Sequence, residues 1–72
     1  MDFKLLKSKR VLMNFTQESI AKEIGITSKT YNRKELGLAP FTITEVVTLT
    51  TLLDLSMQEV NQIFFDNNLP NV

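Results

Sequence analysis

Helix-opening residues recur along this chain at short intervals, and their spacing limits what it can fold into. Asp2, Thr16, Thr27, Thr42 and Ser56 each carry a side-chain oxygen that can accept a hydrogen bond from the free amides of a first helical turn. Each precedes a stretch with apolar residues at helical spacing. Such intervals leave no room for a long helix, and short helices are marginal in isolation. The segments must therefore bury their apolar faces in one shared core.

The spacing predicts helices over about 2–13, 17–24, 28–36, 43–53 and 57–65, with a frayed tail over 66–72. In the first, Phe3, Leu6, Arg10 and Met13 form one inward stripe, and Asn14 suits its end because asparagine tolerates left-handed backbone. In the second, Ile20, Ala21 and Ile24 share a face and Gly25 ends it. Ile26 then makes a short apolar plug, Thr27 caps the third helix and Tyr31 is its buried anchor.

Leu36-Gly37-Leu38-Ala39-Pro40-Phe41 is a loop by its glycine and proline. Thr42-Ile43-Thr44-Glu45 and Ser56-Met57-Gln58-Glu59 read as capping boxes that open the last two helices. The fourth helix is rich in threonine, so its propensity is poor. Burial of Ile43, Val46, Val47, Leu49, Leu52 and Leu53 is expected to override that. Val60, Ile63 and Phe64 face inward from the fifth. With no internal repeat or linker, residues 1–72 read as a single all-α domain.

Seventy-two residues lie near the lower limit for a self-sufficient core. Cysteine is absent, so no disulfide framework assists, and without histidine the usual zinc-ligand sets cannot be assembled. A hydrophobic fraction of 43% argues against disorder, while no apolar run approaches the ~20 residues that cross a bilayer. The opening Met1-Asp2-Phe3-Lys4-Leu5-Leu6-Lys7 lacks the apolar run of a signal peptide, which makes the cytoplasm the default location. Neither membrane, metal, cofactor nor small-molecule ligand is expected. The carboxylates stand singly, and no histidine or cysteine offers acid–base or nucleophilic chemistry, so no catalytic residue is assigned. A purely structural dimerisation module would need an apolar seam over many heptads, longer than any of these helices.

The net charge of zero conceals a division. All eight basic residues lie within residues 1–34 against three acidic ones, and the other five acidic residues follow. This asymmetry suggests a basic face for an anionic partner, although a pI near 6.1 is unlike domains that hold DNA mainly through charge.

Two short helices joined by a glycine-containing turn are the minimum of a helix-turn-helix, and such pairs also occur in proteins that never meet nucleic acid. Here Phe15-Thr16-Gln17-Glu18-Ser19-Ile20-Ala21-Lys22-Glu23-Ile24-Gly25-Ile26-Thr27 resembles the start of the Cro/CI-type motif, and the likeness runs on without gaps to about Phe65. Arg10 and Glu35 occupy the positions of a family ion pair, and Gly37 matches the glycine two residues after that acid. The resemblance implies a five-helix, lambda-repressor-like domain. Its recognition helix would present Thr27, Ser28, Lys29, Asn32 and Arg33, with Gln17 as a phosphate clamp. Arg33 offers guanine a bidentate fork, Lys29 a flexible donor, and Ser28 or Asn32 shorter groups. A cluster such as Lys29, Arg33 and Lys34 is by itself an ordinary solvated face; the motif around it makes it a partner surface. Arg10 with Glu35 reads as structural.

Family members that bind DNA often carry lysine or arginine in the loop after the recognition helix. This chain has Leu38, Ala39 and Phe41 there, which implies fewer phosphate contacts. Leu36, Leu38 and Phe41, with Leu5 and Leu12 outside the first helix's stripe, form either an apolar surface for a protein partner or, for Leu36 and Phe41, part of the core. The chain thus also resembles the small antirepressors of temperate phages of Gram-positive bacteria. That likeness implies a regulator of a lysis/lysogeny switch in a bacterial host, which binds the DNA-binding domain of a CI-type repressor and blocks its operator contacts. This is the favoured expectation; the alternative is a Cro-like dimer that binds operator DNA directly.

Overall fold

The computed structural model describes residues 1–68. It consists of α1 (Phe3–Leu12), α2 (Gln17–Ile24), α3 (Ser28–Glu35), α4 (Ile43–Leu52) and α5 (Met57–Phe64), with no strand among the described residues. Asp2 precedes α1 as its N-cap. Met13, Leu36, Leu53 and Phe65, read from the sequence as last helical residues, are instead the C-caps of α1, α3, α4 and α5. Over 66–68 the chain does not fray: Asn67 and Asn68 donate backbone hydrogen bonds to Asn61 and Phe65. The expected fraying of 69–72 lies outside the described residues.

Every helix opens on a side-chain cap. The Asp2 carboxylate accepts from the Leu5 amide, and Thr16, Thr27, Thr42 and Ser56 accept from the amides three residues on. Reciprocal bonds from Ser19, Glu45 and Glu59 complete capping boxes at α2, α4 and α5. Gly25 ends α2 in the left-handed region at φ 79°. A Cβ there would meet nothing within 4 Å, so only the backbone conformation demands glycine. Asn14 adopts φ 64° after α1, the conformation asparagine tolerates.

Each helix contributes to the core. Leu6, Ile20, Tyr31, Leu49 and Ile63 are fully buried, as is Leu53 at the end of α4. A cluster of rings closes one end, in which Phe41 packs against Phe3, Tyr31 and Phe64 with centroids 5.9, 6.1 and 5.4 Å apart. Two faces differ from the sequence reading. On α1, Leu5 packs against the core while Met13 is exposed, because the helix ends at Leu12 and the inward stripe ends with it. On α4, Val46 and Leu49 point inward but Ile43 and Val47 are 70% and 61% exposed, since they lie on the flank of a narrower buried face. Thr48, Thr50 and Thr51 return their hydroxyls to the carbonyls of Thr44, Val46 and Val47.

The two ends of the bundle meet. The Asp2 amide donates to the Ile63 carbonyl at 3.3 Å, and Gln62 Nε2 donates to the Asp2 carboxylate at 2.7 Å. Lys9 pairs with Glu59 at 2.9 Å alongside.

Candidate functional site

α2 and α3 pack on one another across the turn formed by Gly25, Ile26 and Thr27. The Ile26 amide bonds the Ala21 carbonyl at 3.0 Å, and its side chain packs against the core as the plug expected of it. Tyr31 anchors the inner face of α3, which turns Ser28, Lys29 and Arg33 outward. Thr27, Ser28, Lys29 and Arg33 are all exposed on one side of the helix and its opening turn.

Asn32 and Gln17 are different. Both are half-buried and bonded to each other, Gln17 Nε2 donating to Asn32 Oδ1 at 3.1 Å. The same Gln17 nitrogen donates to Glu35 Oε1 at 3.3 Å. Glu35 is gripped from below by Arg10, whose Nε and Nη2 donate to its two oxygens at 2.9 and 3.1 Å, while Nη1 bonds the Phe15 carbonyl at 2.8 Å. One buried ion pair thus joins α1, the entry to α2 and the end of α3.

Burial pushes the Glu35 carboxyl up, but the Arg10 bonds, with Tyr31 and Gln17 beside them, outweigh it and hold the group below the usual carboxylate range. The group is ionised and accepts only. Burial also pushes the Tyr31 hydroxyl well above the ordinary phenol range. That hydroxyl is wholly buried and makes no hydrogen bond, although it lies beside the Arg10–Glu35 pair.

Lys34 does not join the solvated cluster read from the sequence. Its ammonium is buried against the Glu45 carboxylate at 2.5 and 2.7 Å, and Glu45 also accepts from the Thr42 amide at 2.9 Å. The pair bolts the end of α3 to the start of α4. Lys29 and Arg33 remain the unpaired cations of α3 among the described residues.

Beyond α3, Leu36 and Leu38 are 63% and 62% exposed. Phe41 is not brought to this surface: its ring is turned inward to the aromatic cluster. Ile43 joins Leu38 on this exposed apolar rim, and Val47 is exposed on α4 as well, neither of which the periodicity of α4 reveals. Beside the rim, Phe3, Leu38, Pro40, Ile43 and Phe65 line an apolar hollow of about 360 Å3.

Residues 6–60 match the protein-family model described as helix-turn-helix. No curated protein and no solved structure matches the chain.

Proposed function

Because the chain belongs to the Cro/CI-type helix-turn-helix family of DNA-binding regulators, we propose that α3 is its recognition helix and operator DNA its ligand. The observation that carries this reading is the outward face of α3. Thr27, Ser28, Lys29 and Arg33 are exposed together on a short helix anchored from behind by Tyr31, as entry into a major groove requires. Arg33 is matched to guanine, Lys29 to a base or phosphate, and the α2 N-terminus at Gln17 to the adjoining phosphate. A dimer would set two such helices one helical turn of DNA apart. The apolar rim lies beside α3 instead of on it and leaves that face open.

A second reading is favoured by the rim itself. Leu36 and Leu38 stand exposed where phosphate-binding cations would serve, and Lys34 is withdrawn into its pair with Glu45. Such a surface suits an antirepressor that covers the DNA-binding domain of a CI-type repressor in a temperate-phage switch. Lys29 and Arg33 oppose that docking, since a repressor's own DNA-reading face is positively charged. Operator DNA is therefore the first reading.

Fluorescence anisotropy of a labelled switch-region duplex separates the two. Specific binding of this chain to the free duplex at moderate salt supports the operator reading. No binding to free DNA, with near-stoichiometric collapse of a preformed repressor–DNA complex, supports the antirepressor. Arg33→Ala is expected to abolish operator binding, but not displacement of a repressor, while leaving the melting temperature nearly unchanged.

A further inference from the structure

We propose that Asn32 reads DNA as a hydrogen-bond donor, its amide held in that sense by a relay that starts at the buried Arg10–Glu35 pair. The inference rests on the operator reading above and names the base chemistry that one position recognises.

An asparagine is ambiguous as a reader, because a half-turn of its amide exchanges donor and acceptor. Here the neighbours remove the ambiguity. Arg10 occupies both Glu35 oxygens, at 2.9 and 3.1 Å, and fixes a group that can only accept. Gln17 reaches the same carboxylate at 3.3 Å, and only its NH2 end can face it. That NH2 has a second hydrogen, directed at Asn32 over 3.1 Å, which only an oxygen can receive. Oδ1 of Asn32 is thereby turned to Gln17, and Nδ2 is left without a partner among the described residues. Reversing Asn32 would set two NH2 groups against each other; reversing Gln17 would set its carbonyl against a carboxylate.

Lys29 and Arg33, on the same face, donate and never accept. In the major groove the acceptors are guanine N7 and O6, adenine N7 and thymine O4, whereas cytosine presents its N4 donor. Asn32 so held selects guanine, thymine or adenine, through its N7, over cytosine at its base position.

The test begins with selection of the full chain on a randomised duplex library at moderate salt. Anisotropy titrations then follow on duplexes with single base substitutions in the enriched site. Asn32→Asp replaces Nδ2 by an acceptor and keeps an oxygen for Gln17, so preference at one base pair reverses toward cytosine, by about tenfold. Gln17→Met keeps Asn32 but cuts the relay. Discrimination at that same base pair then falls to about twofold or less, and the rest of the site is read as before. Where Gln17 also clamps a phosphate, its removal weakens all duplexes alike and cancels from the ratio. Gln17→Ala serves as the second variant if the methionine form melts early.

Reversal and flattening at one common base pair support the proposal. A Gln17 variant that keeps full discrimination at the base pair Asn32→Asp reverses overturns the relay. An Asn32→Asp protein that reverses no base pair overturns Asn32 as a reader. A library from which no sequence is enriched overturns the operator reading itself, and the inference with it.

Discussion

Glu35 and Glu45 are buried carboxylates, each kept ionised by a cation that is itself buried. Removing one member strands the other, which costs about 3–5 kcal/mol, against a total stability of about 5–15 kcal/mol for a domain. Arg10→Met is therefore expected to leave the protein barely folded in urea titrations, and Arg10→Met with Glu35→Leu to regain most of the loss. Burial pushes both carboxyls up, but Arg10 and Lys34 more than reverse it and hold them low. A folded-state pKa below the unfolded one adds stability that is present above the unfolded value and lost as pH falls through the folded one. Urea midpoints should hold level from pH 7 to about 5 and fall below about 4; a midpoint unchanged at about pH 3 would refute the assignment. Tyr31→Phe removes a buried hydroxyl that makes no bond, so stability should stay level or rise by up to about 1 kcal/mol. A loss greater than that would expose a bond to Glu35. Of these features the Arg10–Glu35 pair was legible in the sequence through the family resemblance. Lys34 with Glu45 was not: the two lie 11 residues apart across a loop, and no periodicity links them.

Among the helices, boundaries were read best where a side chain makes them. Thr16, Thr27, Thr42 and Ser56 cap as their chemistry dictates, because a cap depends on three or four neighbouring residues and no tertiary partner. Gly25 belongs to the same class. Gly25→Ala should cost about 1–2 kcal/mol in thermal or urea unfolding, with asparagine tolerated better, since only the left-handed backbone is at stake. The faces of α4 were harder. Its six apolar residues suggest one broad face, yet which of them reach the core depends on how the helix is rolled against α2, and that roll leaves no local trace. Ile43 and Val47 are exposed, and Ile43 lines one hollow with Leu38. The position of Phe41 was open for the same reason, and the aromatic cluster decided it.

For the molecule as a whole, the basic half of the sequence does not become an evenly basic surface. Lys9, Arg10 and Lys34 are consumed by Glu59, Glu35 and Glu45, so much of the charge division cancels inside the fold. The cations left on α3 are Lys29 and Arg33, and a shallow salt dependence follows. Lys29→Ala should reduce the slope of log affinity against log salt by about one if Lys29 meets a phosphate, while Lys34→Met should lower stability and leave the slope alone. The helical fold class was visible in the sequence because caps and apolar spacing agree along the chain. The partner face was visible only as far as its outermost residues, since Gln17 and Asn32 are oriented by each other. The stitch between Asp2 and Gln62 spans 60 residues and has a consequence for biosynthesis. A helical bundle of this kind folds mainly through contacts near in sequence, and domains form as they leave the ribosome. Here α1 through α4 emerge with the opening turn of α1 still lacking its neighbour. Only when α5 clears the exit tunnel can the bundle close, and until then the face of α1 that α5 packs against stands open to chaperones instead of to a finished interior.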